Sequence, residues 1–558
     1  MLMQPALDPE FWKQVRTDAV YRPLLNATLE LYRQSHCSPI PSLPYRSRFR
    51  FYRDGDRSEF ERPYFCRRQY LSSAALLTLI YPDEPHYLLE TQEILWAICD
   101  EYSWVLPAHT QGTLQEDLSY IDLFCAQTGF AIAEICYVLS DRLDSRVLER
   151  AQFEVRRRVV QPYITGSFGW EHCGMNWASV CGGNVGGVLM YLEPELFLQQ
   201  LPRLLETMQS LIDGFPDDGT CLEGFSYWLY GFGNYVWFAD LLYQFTDGEY
   251  DILQGSKLER IASYLQRCFL KGGATVSFSD GSRTGKADPG LQSYLSKKFP
   301  ETVHLLPETC LEYFSGNVTW MQYLRNFIYL PPQAEVPAFQ LHSIDLPDAE
   351  QVILQKERYA LAVKAGHNDE PHNHNDVGSF IYATDKGQIL CDLGAGKYTR
   401  QYFQADTRYT IFCNSSLGHS VPIIHGCAQQ YGRQYRGSIA HERNRITLEL
   451  AGAYGLPDLE RLTRTFTYTD DTVILTDTFS PISGSITERF ITLCKPEIHS
   501  DHILLSGTQL CFDPEAVTFS CREEENPRHG NNNSMTDPVY CLDFTLKEHT
   551  AEVTFTIR

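Results

Sequence analysis

The stretch LPPQAEVPAF, residues 330–339, divides this 558-residue chain into two parts with different hydrophobic patterns. Its prolines neither continue a helix nor donate to a sheet. Before it the period is helical. Leu123, Ala126, Phe130, Ala133 and Tyr137 fall at i, i+3, i+7, i+10 and i+14, one stripe of an amphipathic helix. Similar runs occupy 71–100, 145–160, 198–214 and 257–270, with breaks such as Tyr81-Pro82-Asp83 and Phe215-Pro216-Asp217-Asp218-Gly219 between them. Helices in series across short breaks predict antiparallel pairs wound into a toroid or solenoid. After the divide the segments are short, β-rich and punctuated by turns. Leu462, Arg464, Phe466 and Tyr468 alternate against a threonine face, and Asp470-Asp471 turns the chain into 472–476, a hairpin signal. The expected fold is α+β multidomain: an N-terminal helical toroid or solenoid over 1–330, a linker over 331–349, and a C-terminal antiparallel β-sandwich over 350–558. REEENPRHGNNNSMTDP, residues 522–538, has no period and reads as an exposed loop.

Composition excludes several classes of function. The length supports two cores. A net charge of −23 argues against nucleic acid, which requires a basic footprint. An anionic ligand would need a local basic cluster that overcomes this field. Residues 45–70, YRSRFRFYRDGDRSEFERPYFCRRQY, hold eight arginines, Arg67 among them, and four acids. They read equally as a patch for an anionic sugar, since arginine forks onto carboxylate or sulfate, and as a segment paired with its own acids. No basic, then apolar, N-terminal leader and no spanning run of about 18 apolar residues stands out, so neither secretion nor a membrane is expected. The 17 cysteines are odd in number, and Cys125 and Cys136 lie in apolar helical patterns. Reduced thiols and a cytoplasmic compartment are expected. Homo-oligomerisation is left open.

The chemistry concentrates in HNDEPHNHNDVGSF, residues 367–380. His367, His372, His374 and Asp376 sit within ten positions. On an extended segment His372, His374 and Asp376 would share one face, a costly arrangement unless a metal or an anionic ligand uses them. A second stretch, GGNVGG (182–187), lacks the lysine and preceding strand of a nucleotide loop and reads as close helix packing.

HNHNDVGSF resembles the His-x-His-x-Asp-x-Gly-Ser-Phe signature of the heparinase II/III-like polysaccharide lyases. WVLPAH (104–109) with IDLF (121–124), MNWASVCGGNVGG (175–187) and DGTCLEGFSYWLYG (218–231) resemble further segments of that family, in the same order. The resemblance implies an N-terminal (α/α) toroid followed by a C-terminal antiparallel β-sandwich, and β-elimination at a uronic acid. The C5 proton becomes removable once the C6 carboxylate is neutralised, a base takes it, and an acid protonates the departing O4. It implies that Asn176 neutralises the carboxylate, with His172 as second candidate. Tyr227 would be the acid and a candidate base, and His372 the other base and carboxylate contact. His172, Glu223, Trp228, Tyr230, Arg67 and His109 would line the substrate site, and Tyr230 rivals Tyr227 one turn away on a helix. It further implies a structural zinc held by His374, Asp392 and His419. Here the chain departs from the family, with His-Ser-Val in place of His-Asn-Thr at His419, and Cys413 nearby also suits zinc. The expected partner is an acidic oligosaccharide. Two other readings stand beside the lyase: a glycan-binding protein without catalysis, and a glycoside hydrolase using Asp218 and Glu223.

Overall fold

Up to Ile328 the regular structure is helical, and from Ile344 it is mostly strand. The structure is a computed structural model that describes residues 2–314, 319–330, 343–480, 484–528, 535–547 and 551–558. Most of the expected linker, 331–342, lies outside the described residues. The chain forms two units. One comprises Met1–Phe215, Trp228–Ala262 and Lys286–Phe339; the other comprises Pro216–Tyr227, Ser263–Gly285 and Gln340–Arg558. Two segments from the first half of the sequence therefore belong to the β unit, and both carry residues of the site described below.

In the helical unit, Leu123–Val138 packs on Asn176–Leu192, which packs on Pro194–Gly214. Asp122 caps the first of these by accepting a hydrogen bond from the Cys125 amide. The expected amphipathic stripe is not what the helix presents, because it is buried on nearly every side. A helix apolar all round belongs in a core. The stretch Leu114–Val138 is also long and apolar enough to cross a membrane, but 89% of its apolar window is buried within the fold. Glycines set the approach of the helices. A Cβ on Gly187 would stand 2.3 Å from the Phe130 ring, and one on Gly186 would stand 2.4 Å from Phe238. Inside the unit Arg325 forks onto Glu134, both fully buried, and the Tyr191 hydroxyl donates to the same carboxylate.

Among the described residues the β unit holds antiparallel sheets of five, eight, four and two strands. The three larger ones share an apolar core that includes Leu361, Phe380, Phe466, Leu475, Phe490, Phe544 and Phe555. Leu462–Tyr468 pairs with Val473–Phe479 through the turn at Asp470-Asp471, as the alternation predicts. Arg464 stands on the inward face of that strand, and a buried guanidinium needs partners. It finds Asp477 and Glu488. The expected loop at 522–538 is instead largely strand. Val517–Arg528 and Met535–Leu546 stay in register out to Arg528 and Met535, while 529–534 lie outside the described residues. Backbone pairing sustains these strands where side chains carry no apolar alternation.

Gly187→Ala should destabilise the helical unit by roughly 1–3 kcal/mol, since the added methyl meets the Phe130 ring in a packed interior. A Cβ on Gly169 would meet nothing within 4 Å, so Gly169→Ala should change stability by less than about 0.5 kcal/mol. Urea unfolding of the two variants checks both.

Candidate catalytic and metal centre

The histidine motif is a turned loop between Ala360–Lys364 and Phe380–Thr384, not a strand, apart from His367–Asn368. The one-face geometry expected of an extended segment is thereby replaced by convergence on a carboxylate from elsewhere in the chain. His372 has a left-handed backbone, φ 55°, which costs energy in a residue other than glycine. Its Nδ1 lies 2.7 Å from Asp280 Oδ2, and His374 Nε2 lies 3.0 Å from Asp280 Oδ1. Tyr398 donates to Oδ2 at 3.1 Å, Tyr402 donates to Oδ1, and Arg408 stands 3.5 Å from Oδ1. Burial opposes ionisation of Asp280, but the hydrogen bonds from both histidines and the Arg408 charge hold its carboxyl well below the usual range.

Tyr227 joins this group. Its ring stacks on His372 with centroids 4.0 Å apart, and its hydroxyl lies 2.9 Å from that of Tyr398. Since Tyr398 spends its one proton on Asp280, Tyr227 donates to Tyr398. Burial, reinforced by the Asp280 charge, pushes the Tyr227 phenol above its ordinary value. The outer nitrogen of His372, Nε2, faces Glu223 Oε2 at 3.5 Å. Asp218 is occupied differently. Its Oδ2 accepts from the Asp348 and Ala349 amides at 2.9 and 3.0 Å, and its Oδ1 accepts from the Thr220 amide.

Next to the loop, His374, Asp392 and His419 are buried, with ligand atoms all within 4.8 Å of one another. The donor set fits a divalent metal. His374 gives Nε2 to Asp280, and its buried Nδ1 has no hydrogen-bond partner among the described residues. His419 gives Nε2 to the Cys413 carbonyl at 2.8 Å, which turns Nδ1 toward Asp392 at 3.1 Å. Each imidazole is thus pinned through one nitrogen and offers the other, the arrangement of metal-ligating histidines. Asp376 Oδ2, also without a hydrogen bond among the described residues, lies 3.9 Å from His419 Nδ1. Cys413 contributes its carbonyl to this arrangement, while its thiol donates to Asn414 Oδ1 at 3.4 Å. Lys364, buried, binds the other oxygen of Asp376 at 2.8 Å and lies 3.8 Å from Glu370, which burial pushes up to about 7 against the pull of Lys364.

The remaining candidates lie in the helical unit. Asn176 begins the helix Asn176–Leu192 and is buried, while His172 is exposed. His109 is held by Asp122 at 2.7 Å and meets the Trp177 ring edge-on at 4.9 Å. Tyr230 donates to Gln127 at 3.2 Å. Trp228 is 0% exposed with its indole N–H on the Ile261 carbonyl, so it presents no face to a sugar. Arg67 is buried on the Pro41 and Ala97 carbonyls and Glu101. Its neighbours are paired as well: Arg48 with Asp117, Arg50 with Asp54 and Glu59, Arg57 with Glu61, and Arg68 with Glu101. The arginine-rich segment is therefore largely satisfied by the chain itself. Sequence reasoning missed Asp280, Tyr398, Tyr402 and Arg408. Asp280 sits in SFSDGS, where Asp-Gly reads as a turn, and only folding brings it to His372.

No family model matches the sequence, and no curated protein matches it. The fold does have solved counterparts. Heparinase III aligns over 100% of this chain and 92% of its own, with TM-score 0.65 and 13% identity. The heparan sulfate lyase HepC from Pedobacter heparinus aligns over 99% and 86%, with TM-score 0.56 and 12% identity. The chondroitin AC lyase of Streptomyces coelicolor A3, solved in complex with chondroitin sulphate, aligns over 98% and 82%, with TM-score 0.56 and 9% identity. At these identities the likeness is one of fold: a helical N-terminal region followed by an antiparallel β domain.

Zinc titrated into chelator-treated protein should bind at one equivalent and raise the melting temperature, by about 2.7 kcal/mol of stabilisation at a hundredfold excess over Kd. His419→Ala should abolish both effects. Glu370 should make stability fall with rising pH. Its folded pKa of about 7 lies above its unfolded value, so its contribution is full below about 4.5 and is lost as pH climbs through 7. Thermal melts from pH 5 to 8.5 should show Glu370→Gln gaining on the parent by roughly 2–4 kcal/mol across that window.

Proposed function

We propose that the chain is a polysaccharide or oligosaccharide lyase that cleaves uronate-containing acidic glycans by β-elimination, with the (α/α) toroid and β-sandwich of the heparinase II/III-like enzymes. The observation that carries this reading is the stack of Tyr227 on His372, an acid and a base side by side in one small cluster. His372, with Nδ1–H committed to Asp280, offers the Nε2 lone pair to the C5 proton. Tyr227 keeps its proton, because burial and a neighbouring negative charge raise its pKa. It therefore serves as the acid that protonates O4, and the base role passes to His372. The family resemblance assigns Asn176 the role of neutralising the C6 carboxylate, with the charge that develops on it during proton removal. The elimination leaves a C4–C5 double bond in the sugar and a free hydroxyl on the leaving residue.

A zinc held by His374, Asp392 and His419 would supply a fixed positive charge and a crosslink that stiffens the loop carrying His372. The hydrolase reading loses support because Asp218 spends both carboxylate oxygens on backbone amides. It is thereby withdrawn from service as one of a catalytic pair. Seventeen free cysteines fit a reducing compartment and a diet of short, imported oligosaccharides.

The test is ultraviolet absorbance of the unsaturated product across oligosaccharides of heparan sulfate, chondroitin sulfate and alginate. At least one should give product, and hydrolysis without absorbance would sink the proposal. Tyr227→Phe should lower kcat by roughly 10²–10⁴-fold, the usual worth of a general acid, while oligosaccharide binding and the melting temperature change little. Tyr230→Phe should be mild, since its hydroxyl serves Gln127.

A further inference from the structure

We propose that Asp280 is the positioning residue that sets the protonation of both motif histidines at once, and so couples the metal centre to the catalytic base. The inference rests on the lyase reading for the role of His372, but its geometric basis is independent of substrate. An ionised carboxylate only accepts hydrogen bonds. Asp280 receives His372 Nδ1 on one oxygen and His374 Nε2 on the other, so each of those nitrogens carries a proton. In each neutral ring the opposite nitrogen then holds the lone pair: His372 Nε2, 3.5 Å from Glu223, and His374 Nδ1, buried with no hydrogen-bond partner among the described residues. One carboxylate thus makes one histidine a base and its neighbour a metal ligand.

Three features of the surroundings are built around this residue. Backbone strain is accepted on both sides of the contact, with Ser279 at φ 58° and His372 at φ 55°. Two glycines let other loops close on the Asp280 turn. A Cβ on Gly394 would stand 2.1 Å from the Gly281 carbonyl, and one on Gly224 would stand 3.0 Å from the Phe278 carbonyl, both glycines at positive φ. Those loops bring in Asp392 and Glu223, the groups that flank the outward nitrogens. Finally, Tyr398, Tyr402 and Arg408 complete the set of donors, so the carboxylate is oriented from several directions and cannot swing to favour one histidine.

Asp280→Asn is the decisive variant. A carboxamide has one accepting oxygen, so it cannot take a proton from both rings, and its NH₂ must face one of the two histidines. The variant should bind zinc 10–100-fold more weakly in competition with a chelating dye, the usual loss on removing an outer partner of a ligand. It should also lower kcat at least 10²-fold with KM within about threefold, and saturating zinc should refill the metal centre without restoring kcat. A contribution confined to the metal would recover with zinc, which overturns the coupling. So does a variant that retains parental zinc affinity, or one that keeps kcat. Should Asp280→Asn fail to fold, nitrogen-15 spectra of the parent histidines decide, with His372→Gln and His374→Gln supplying the assignments. His372 protonated on Nδ1 and His374 on Nε2 uphold the proposal, and the opposite tautomer at either overturns it. The zinc and tautomer measurements use no sugar, so they stand even if every glycan in the panel proves inert.

Discussion

A buried charge is among the most expensive things a fold can contain unless partners are built around it, and Asp280 is such a charge. Its solution organises the β unit around it. Histidines from 372 and 374, tyrosines from 398 and 402, and Arg408 all turn toward one carboxylate. Only Arg408 is a permanent cation. The rest of the compensation comes from polar hydrogens, and this is what makes the cluster chemical rather than merely stabilising. Each donor is held in a defined orientation, and each is a group that can exchange a proton.

Two other buried ion pairs behave differently. Arg325 with Glu134, and Arg464 with Asp477 and Glu488, meet their partners by direct opposition of guanidinium and carboxylate. They fix helix to helix or strand to strand and present no titratable donor to a ligand. The contrast separates architecture from site within the same chain, and it also accounts for the arginine-rich segment at 45–70. A guanidinium committed to carbonyls and a buried glutamate, as Arg67 is, has little left for an incoming anion. In a chain of net charge −23, the proposed acidic glycan would then be met by neutral donors such as amides and phenols and by histidine, dipoles that act strongly wherever water is excluded.

Backbone conformation carries part of the design. Ser279 and His372 occupy a region that ordinary side chains avoid, and Gly394 supplies an approach that no Cβ would allow, with a tight one at Gly224 beside it. Strain of this kind persists only where surrounding contacts over-determine it, and here the carboxylate and its donors do so. The candidate metal ligand Asp392 comes from a loop held to the same turn, through Ser277 to its carbonyl and through Gly394 against Gly281.

Local pattern was enough to read the change from helix to strand, the hairpin at Asp470-Asp471, the tight packing at GGNVGG, and the concentration of histidines at 367–380. Each is a local signal, a period or a spacing, that neighbouring residues write together. Tertiary structure decided what no local pattern encodes. The helix Leu123–Val138 is buried all round because other helices enclose it, although its stripe reads as one-sided. The strands at 517–528 and 535–546 hold through backbone pairing that leaves no mark in a run of charged side chains. Trp228 and Asp218 look like site residues by type, yet their polar atoms are spent on the Ile261 carbonyl and on backbone amides. Asp280 looks like a turn residue by type, yet it lies 92 positions from His372 in sequence and 2.7 Å away in space. A carboxylate's partners are chosen by desolvation, which acts only once the chain has closed around it, so its role could be written nowhere but in the fold.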